Sequence, residues 1–234
     1  MLALNDRYEV KARLLPALLA TSPAAIALAA IGVEFLDWYA VILLEGGWAV
    51  VCGTGLMYFS AIAGTNYERK LFRNWPYDLP THQWLRPDGP RLSSQQRNNY
   101  YRLIRGTVNL DIQAVVSSSD PAELDHTIDD AVRALRHRFR SSPGNGLLVK
   151  HNEDYGFVRN LAALHWVWLT TGFGSCCTTW ILYVVEDVHL LWPVLASIVA
   201  VLAVAAAIRR SSYVLRYADR YAESFFAALS QEGH

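Results

Sequence analysis

Cysteine is scarce in this chain. The three present, Cys52 and the adjacent Cys176 and Cys177, form no spaced set, so a disulfide framework and a zinc site are both excluded; neighbouring cysteines do not close an ordinary unstrained disulfide on each other. They read as small apolar fillers. Also missing are a glycine-rich phosphate loop, a nucleophile elbow and an HExxH pair. Enzymatic activity is therefore not expected, and no cofactor or metal is called for. The most informative absence is charge. No Asp, Glu, Lys or Arg occurs in 14–33, 46–67, 160–185 or 188–208, and each run has roughly the 20 residues a helix needs to cross about 30 Å of hydrocarbon. Four such runs in 234 residues leave too little polar sequence to cover them in water.

The expected fold class is all-α: a polytopic membrane protein of four transmembrane helices with a helical cytoplasmic domain inserted between spans 2 and 3. Its divisions fall at 1–65 (amino-terminal segment and spans 1 and 2), 66–159 (cytoplasmic domain), 160–210 (spans 3 and 4) and 211–234 (cytoplasmic carboxy-terminal helix). Asp6 and Glu9 dilute the basic start made by Arg7, Lys11 and Arg13. The apolar run also continues past "ATSPAAIA", so the first segment reads as a span and not as a cleaved signal.

Lys and Arg set the orientation. Three lie in the amino-terminal segment, fourteen between Arg69 and Arg159 and four in the tail at Arg209, Arg210, Arg216 and Arg220, which is all 21. The two short connections have none, holding instead Glu34, Asp37 and Glu45 in one and Glu186 and Asp187 in the other. By the positive-inside bias both termini and the middle domain are cytoplasmic. Trp38, Tyr39, Trp48, Trp166, Trp168 and Trp192 lie near the proposed boundaries, where interfacial aromatics belong.

Within the middle domain, "TNYERKLFRNW" extends the second span as a helix until Pro76 and Pro80 stop it. "SSQQRNNYYRLIRGTV" opens on capping serines and spaces Tyr100, Leu103, Ile104 and Val108 as one helical face. A further helix starts from Asp120 and Pro121, with Leu124, Ile128, Ala131, Val132 and Leu135 on its apolar side. The last begins near Leu147 and is expected to run unbroken into the third span. Three stretches, "LPTHQWLRPDG" (79–89), "DDAVRALRHRFR" (129–140) and "HNEDYGFVRNL" (151–161), in that order between two pairs of hydrophobic helices, resemble a family of small bacterial membrane proteins. The resemblance implies a bacterial inner (cytoplasmic) membrane and this topology, and it assigns no activity.

Two sets of residues stand out as sites. Arg133, Arg136, Arg138 and Arg140 concentrate positive charge suited to a phosphate-rich ligand, such as a nucleotide or oligonucleotide signal, to anionic headgroups or to a partner protein. The alternative is a solvated helix end, where cations are also favoured. Nothing points to reading of double-stranded DNA. Asp125, His126, Asp129 and Asp130 make a stripe expected to be solvated, and His151 with Glu153 and Asp154 is one histidine short of a convincing metal site.

The third span holds "TTGFGSCCTTW" at 170–180. On a helical wheel with Thr170 at zero, Thr171, Gly172, Gly174, Ser175, Thr178 and Thr179 fall within an arc of roughly 40° to 200°, and Trp166, Leu169, Phe173, Cys176 and Trp180 lie opposite. A small hydroxylated face allows close helix packing, or it lines a narrow path, with Thr171, Ser175 and Thr178 in register and Leu182 as an apolar constriction. Seams at Gly46, Gly53, Ser60 and Gly64 on span 2, and at Ala196, Ala200, Ala203 and Ala207 on span 4, already serve packing. No charge lies deep in a span, which argues against an ion-coupled transporter.

The expected function is an oligomeric membrane pore or ion channel gated through its cytoplasmic domain. Small membrane proteins of this layout serve as antiphage effectors that depolarise the membrane, and analogy of layout extends the expectation there. The alternative is a non-conducting adaptor that anchors a soluble partner. Lipid and further copies of the chain are the other partners expected.

Overall fold

The computed structural model describes residues 4–35, 38–117, 120–141 and 145–232. Asp37, and the side chains of 4–6, 33–35, 38–54 and 141, lie outside that description. The expectations placed on Glu34, Asp37, Trp38, Tyr39, Glu45, Gly46, Trp48, Cys52 and Gly53 therefore fall outside it too. Among the described residues every element is helical and no strand occurs. In order they are α1 (Leu4–Glu9), a π-turn (Val10–Leu14), α2 (Leu15–Phe35), α3 (Trp38–Leu71), α4 (Pro80–Gln83), α5 (Ser94–Val108), α6 (Ile112–Val116), α7 (Pro121–Ser141), α8 (Gly146–Ala163), α9 (His165–Val185) and α10 (Leu191–Glu232). Two compact units result, one of Met1–Glu68 with Gly156–Val214 and one of Arg69–Tyr155 with Leu215–His234.

In the first unit α2 packs along α9, and its two prolines dictate local detail. A proline inside a helix has no N–H for the carbonyl four residues earlier. Pro23 orphans Leu19 in this way, and the Ser22 hydroxyl donates to that carbonyl at 3.0 Å. On α10 the alanine seam is turned inward, with Ala196, Ala200, Ala203 and Ala207 all buried, while Leu195, Ile198, Val201, Leu202 and Ile208 are exposed. An aliphatic outer face of this kind suits lipid better than water.

Among the described residues two stretches, Arg7–Gly32 and Leu191–Glu232, are long and apolar enough to cross a membrane, where four were expected in the whole chain. α9 has the length and no charged residue, but its tryptophans, threonines and glycines lower its hydropathy. Side chains in the first half of α3 lie outside the description. α10 runs unbroken for 42 residues, about 63 Å of helix, so the expected fourth span and the tail are one element.

The second unit is a helical domain with its own core. Ile128, Ala131, Val132, Leu135 and Phe139 form the inward stripe of α7, meeting Ile104 and Tyr101 of α5, Ile112 of α6, and Ala222, Phe225, Phe226 and Leu229 of α10. The stretch after Leu215, set apart in the sequence as a tail, thus supplies much of this core. Trp84 stacks on Phe226 at 5.4 Å between ring centres. Ser93 caps α5 by accepting from the Gln96 N–H, and Asp120 caps α7 through the Ala122 N–H at 2.9 Å. The buried Tyr101 hydroxyl donates to the Leu85 carbonyl, and burial pushes its pKa up to about 12.

One expected continuity is broken. Leu164 leaves helical geometry (φ −86°, ψ 9°), which ends α8 and starts α9. The physical reason is local: His165 turns its Nδ1–H back onto the Ala162 carbonyl at 2.8 Å, and a side chain that competes for a ladder carbonyl interrupts a helix.

Candidate functional site

The hydroxyl face of α9 points into its own bundle. Thr171 donates to the Ala20 carbonyl of α2 at 2.8 Å, the same distance as to its own Val167 carbonyl. A Cβ added at Gly172 would lie 3.4 Å from the Ala200 backbone, so glycine there lets α9 and α10 approach closely. Ser175 and Thr179 are buried, and Thr179 donates back to Ser175 at 2.8 Å. Thr178 and Leu182 are half-buried. Phe173 and Trp180 stay exposed on the other side. Trp180 donates its Nε1–H to Ser197 of α10 at 3.1 Å. The candidate pore residues therefore divide: Thr171 and Ser175 meet neighbouring structure, while Thr178 and Leu182 sit at its edge. Replacing Thr171 with valine keeps the shape and removes the bond to Ala20. It should cost the bundle about 1 kcal/mol in detergent unfolding, and Thr178→Val should cost clearly less.

A second polar centre of the same unit went unseen in the sequence. α8 carries Gly156 and Asn160, which are four residues apart and on one face. Asn160 is fully buried and donates from Nδ2 to the Ala12 carbonyl at 2.6 Å. Its Oδ1 accepts from the Nε–H of Arg159 at 3.3 Å, and Arg159 pairs with Glu68 of α3 at 3.1 Å. Gly64 makes room for this arrangement, since a Cβ there would fall 1.7 Å from the Asn160 Oδ1. Gly156 does the same on the other side, where a Cβ would lie 2.8 Å from the Ala12 methyl and 3.0 Å from the Tyr8 hydroxyl. "SAIAGTNYE" repeats Ser60, Gly64 and Glu68 at intervals of four. That spacing is a signal the packing seam of Ser60 and Gly64 does not use, since the seam leaves Glu68 out.

In the helical domain two of the resembling stretches meet each other. Leu79–Gly89 lies against α7, with His82 Nε2 3.2 Å from Asp129 Oδ1 and Arg86 gripping Asp125 through both carboxylate oxygens. Burial holds the His82 pKa down to about 4, against the bond to Asp129 that raises it. The neutral ring fixes the donors in order: Thr81 gives its hydroxyl proton to Nδ1 at 3.2 Å, and Nε2–H is given to Asp129. Arg133 completes Asp129, and Arg136 reaches Thr81 at 3.4 Å. Hydroxyl, imidazole and carboxylate lie in a line, but Thr81 and His82 are buried at 2% and 1% exposure. The line is closed to solvent along its hydroxyl and imidazole. The stripe expected to be solvated is thus covered in part: Asp129 is buried and Asp125 half-buried and paired, where α4 and the segment behind it pack over them, while His126 and Asp130 are exposed.

Three of the four arginines have separate partners within the domain. Arg133 serves Asp129, Arg136 serves Thr81 and lies 5.9 Å from the Tyr221 ring centre, and Arg138 binds Glu232 at 2.6 Å. Arg140 is exposed. No protein-family model, curated protein or solved structure matches the chain. Among the described residues no group of three potential ligands surrounds a metal position. Glu153, beside His151 and Asp154, is buried at 1% exposure; it falls on the same helical face as Gly156 and Asn160.

Proposed function

We propose that the protein is a multi-pass membrane anchor, four helices crossing a bacterial inner membrane with both termini cytoplasmic, which presents its helical domain to a soluble partner. The observation that carries this reading is the use of the α9 hydroxyl face inside the chain. Thr171 is spent on Ala20, and Gly172 is filled by Ala200. A face committed to neighbouring helices is a packing surface, and small residues with a few interhelical hydrogen bonds are what such surfaces need in lipid. The charge-free length of α9 and the basic residues confined to one side support the four-span topology. The domain core, built from five helices, supports a unit folded for display.

One observation favours a second reading, an oligomeric pore with the antiphage role that analogy of layout suggests. Gly174 has nothing within 4 Å of an added Cβ and Cys177 is exposed, so one stripe of α9 remains open to another copy. A photo-crosslinking residue at Arg102, exposed on α5, and another at Phe173, exposed on α9, separate the two readings. The anchor predicts adducts to a soluble protein from Arg102 and none between copies from Phe173. The pore predicts self-adducts from Phe173, together with conductance of the purified oligomer in a planar bilayer that Thr178→Trp abolishes. A silent bilayer without partner adducts from Arg102 overturns both.

A further inference from the structure

The first helix contains a defect that another helix repairs. Pro16 has no N–H, so the Ala12 carbonyl has lost its ordinary partner, and a proline ring crowds that same carbonyl. The backbone answers with the π-turn at Val10–Leu14, where the Leu15 N–H reaches back to Val10 instead of residue 11. π-turns are uncommon and concentrate where a helix has work to do. The orphaned Ala12 carbonyl then takes the side-chain amide of Asn160 at 2.6 Å. Access is prepared on both sides, because any side chain at Gly64 would strike the Asn160 amide and any at Gly156 would strike Ala12 and Tyr8.

We propose that Asn160 is a latch on a proline hinge, holding α1 against α8 through the Ala12 carbonyl. With the latch made, the Ala12 carbonyl has a donor and α1 runs through the π-turn into α2. Without it the Ala12 carbonyl is buried with no donor, which a protein interior tolerates poorly. The helix then satisfies it by opening at the π-turn toward water. Neighbouring helices are a general means by which proline in a membrane helix is tolerated, and here the means is one bond from one side chain. A contact of that kind has two discrete states. Any event that displaces α8 by the length of a hydrogen bond frees the amino-terminal helix.

The test is a double-mutant cycle on the full chain in detergent or nanodiscs. Asn160→Leu should increase amide exchange across residues 9–17 by at least about tenfold. It should also add a second distance population between spin labels at Arg7 and Arg209, placed on a background with Cys52, Cys176 and Cys177 replaced by alanine. Pro16→Ala restores the N–H that Ala12 lacks, so Asn160→Leu in the Pro16→Ala chain should leave exchange and distances at parental values. Folding of the Pro16→Ala/Asn160→Leu chain where Asn160→Leu alone fails to fold would support the latch equally. If Asn160→Leu is equally disruptive with either residue at 16, or is silent with proline present, Asn160 is a packing residue and the latch is wrong.

Discussion

Glu68→Ala should destabilise the membrane bundle by about 3 kcal/mol, because it removes a buried carboxylate that pairs with Arg159. Arg159 keeps only 16% of its side chain exposed and Glu68 8%, with 3.1 Å between their charged atoms. Two ions so enclosed have given up most of their hydration, and their mutual attraction offsets part of that cost. The loss should appear as a lower unfolding midpoint in detergent, with secondary structure unchanged at low temperature. Replacing both, as Glu68→Leu with Arg159→Met, should recover most of it, since a filled apolar contact costs no desolvation of charge. A single-variant loss near 1 kcal/mol would instead place the pair in reach of water, in the range of exposed ion pairs.

That pair also illustrates what the sequence made legible. Helix periodicity is written into side-chain character, so the α7 stripe from Ile128 to Leu135, its Asp120 cap and the alanine seam of α10 were all readable from spacing. Partnerships between residues 91 and 148 positions apart are not. Nothing local to Asn160 announces that it faces Ala12, because the cue is an absence, the N–H that Pro16 lacks, lying 144 positions away. A missing donor becomes informative only when the carbonyl it orphans has a place in space. Asp129 was misjudged for a related reason: on a wheel it lies off the apolar stripe, and only the short α4 segment, which has almost no periodicity of its own, covers it. The α9 face is small and hydroxylated on the wheel, yet periodicity gives a face without naming what meets it. The carboxy-terminal stretch shows the same limit in reverse. Ala222, Phe225, Phe226 and Leu229 have the spacing of a core stripe, but their place after a span made them look like a tail.

The helical domain should lose about 3 kcal/mol of stability between pH 6.5 and pH 4 through His82 alone. In the folded chain the imidazole is held neutral, with a pKa lowered to about 4 from an ordinary 6.5, first by burial and then by the charges of Arg136 and Arg133, while the hydrogen bond and charge of Asp129 oppose the change. The unfolded chain therefore binds the proton that the folded chain refuses. Stability rises with pH wherever the unfolded state holds more protons, so this contribution is complete above pH 6.5 and falls away as the pH drops toward 4. Below about 4 the ring is charged in both states and nothing further is lost through it. Protonation also breaks the donor order, since Nδ1 can no longer accept from Thr81. Tyr77 and His126 flank the site, with Tyr77 edge-on to both rings. The comparison that isolates His82 is the His82→Asn chain, which starts less stable and should show a flatter unfolding midpoint across that window. An unchanged slope in that variant would mean that the proton is taken up elsewhere, and that the buried line from Thr81 to Asp129 is open to water in solution.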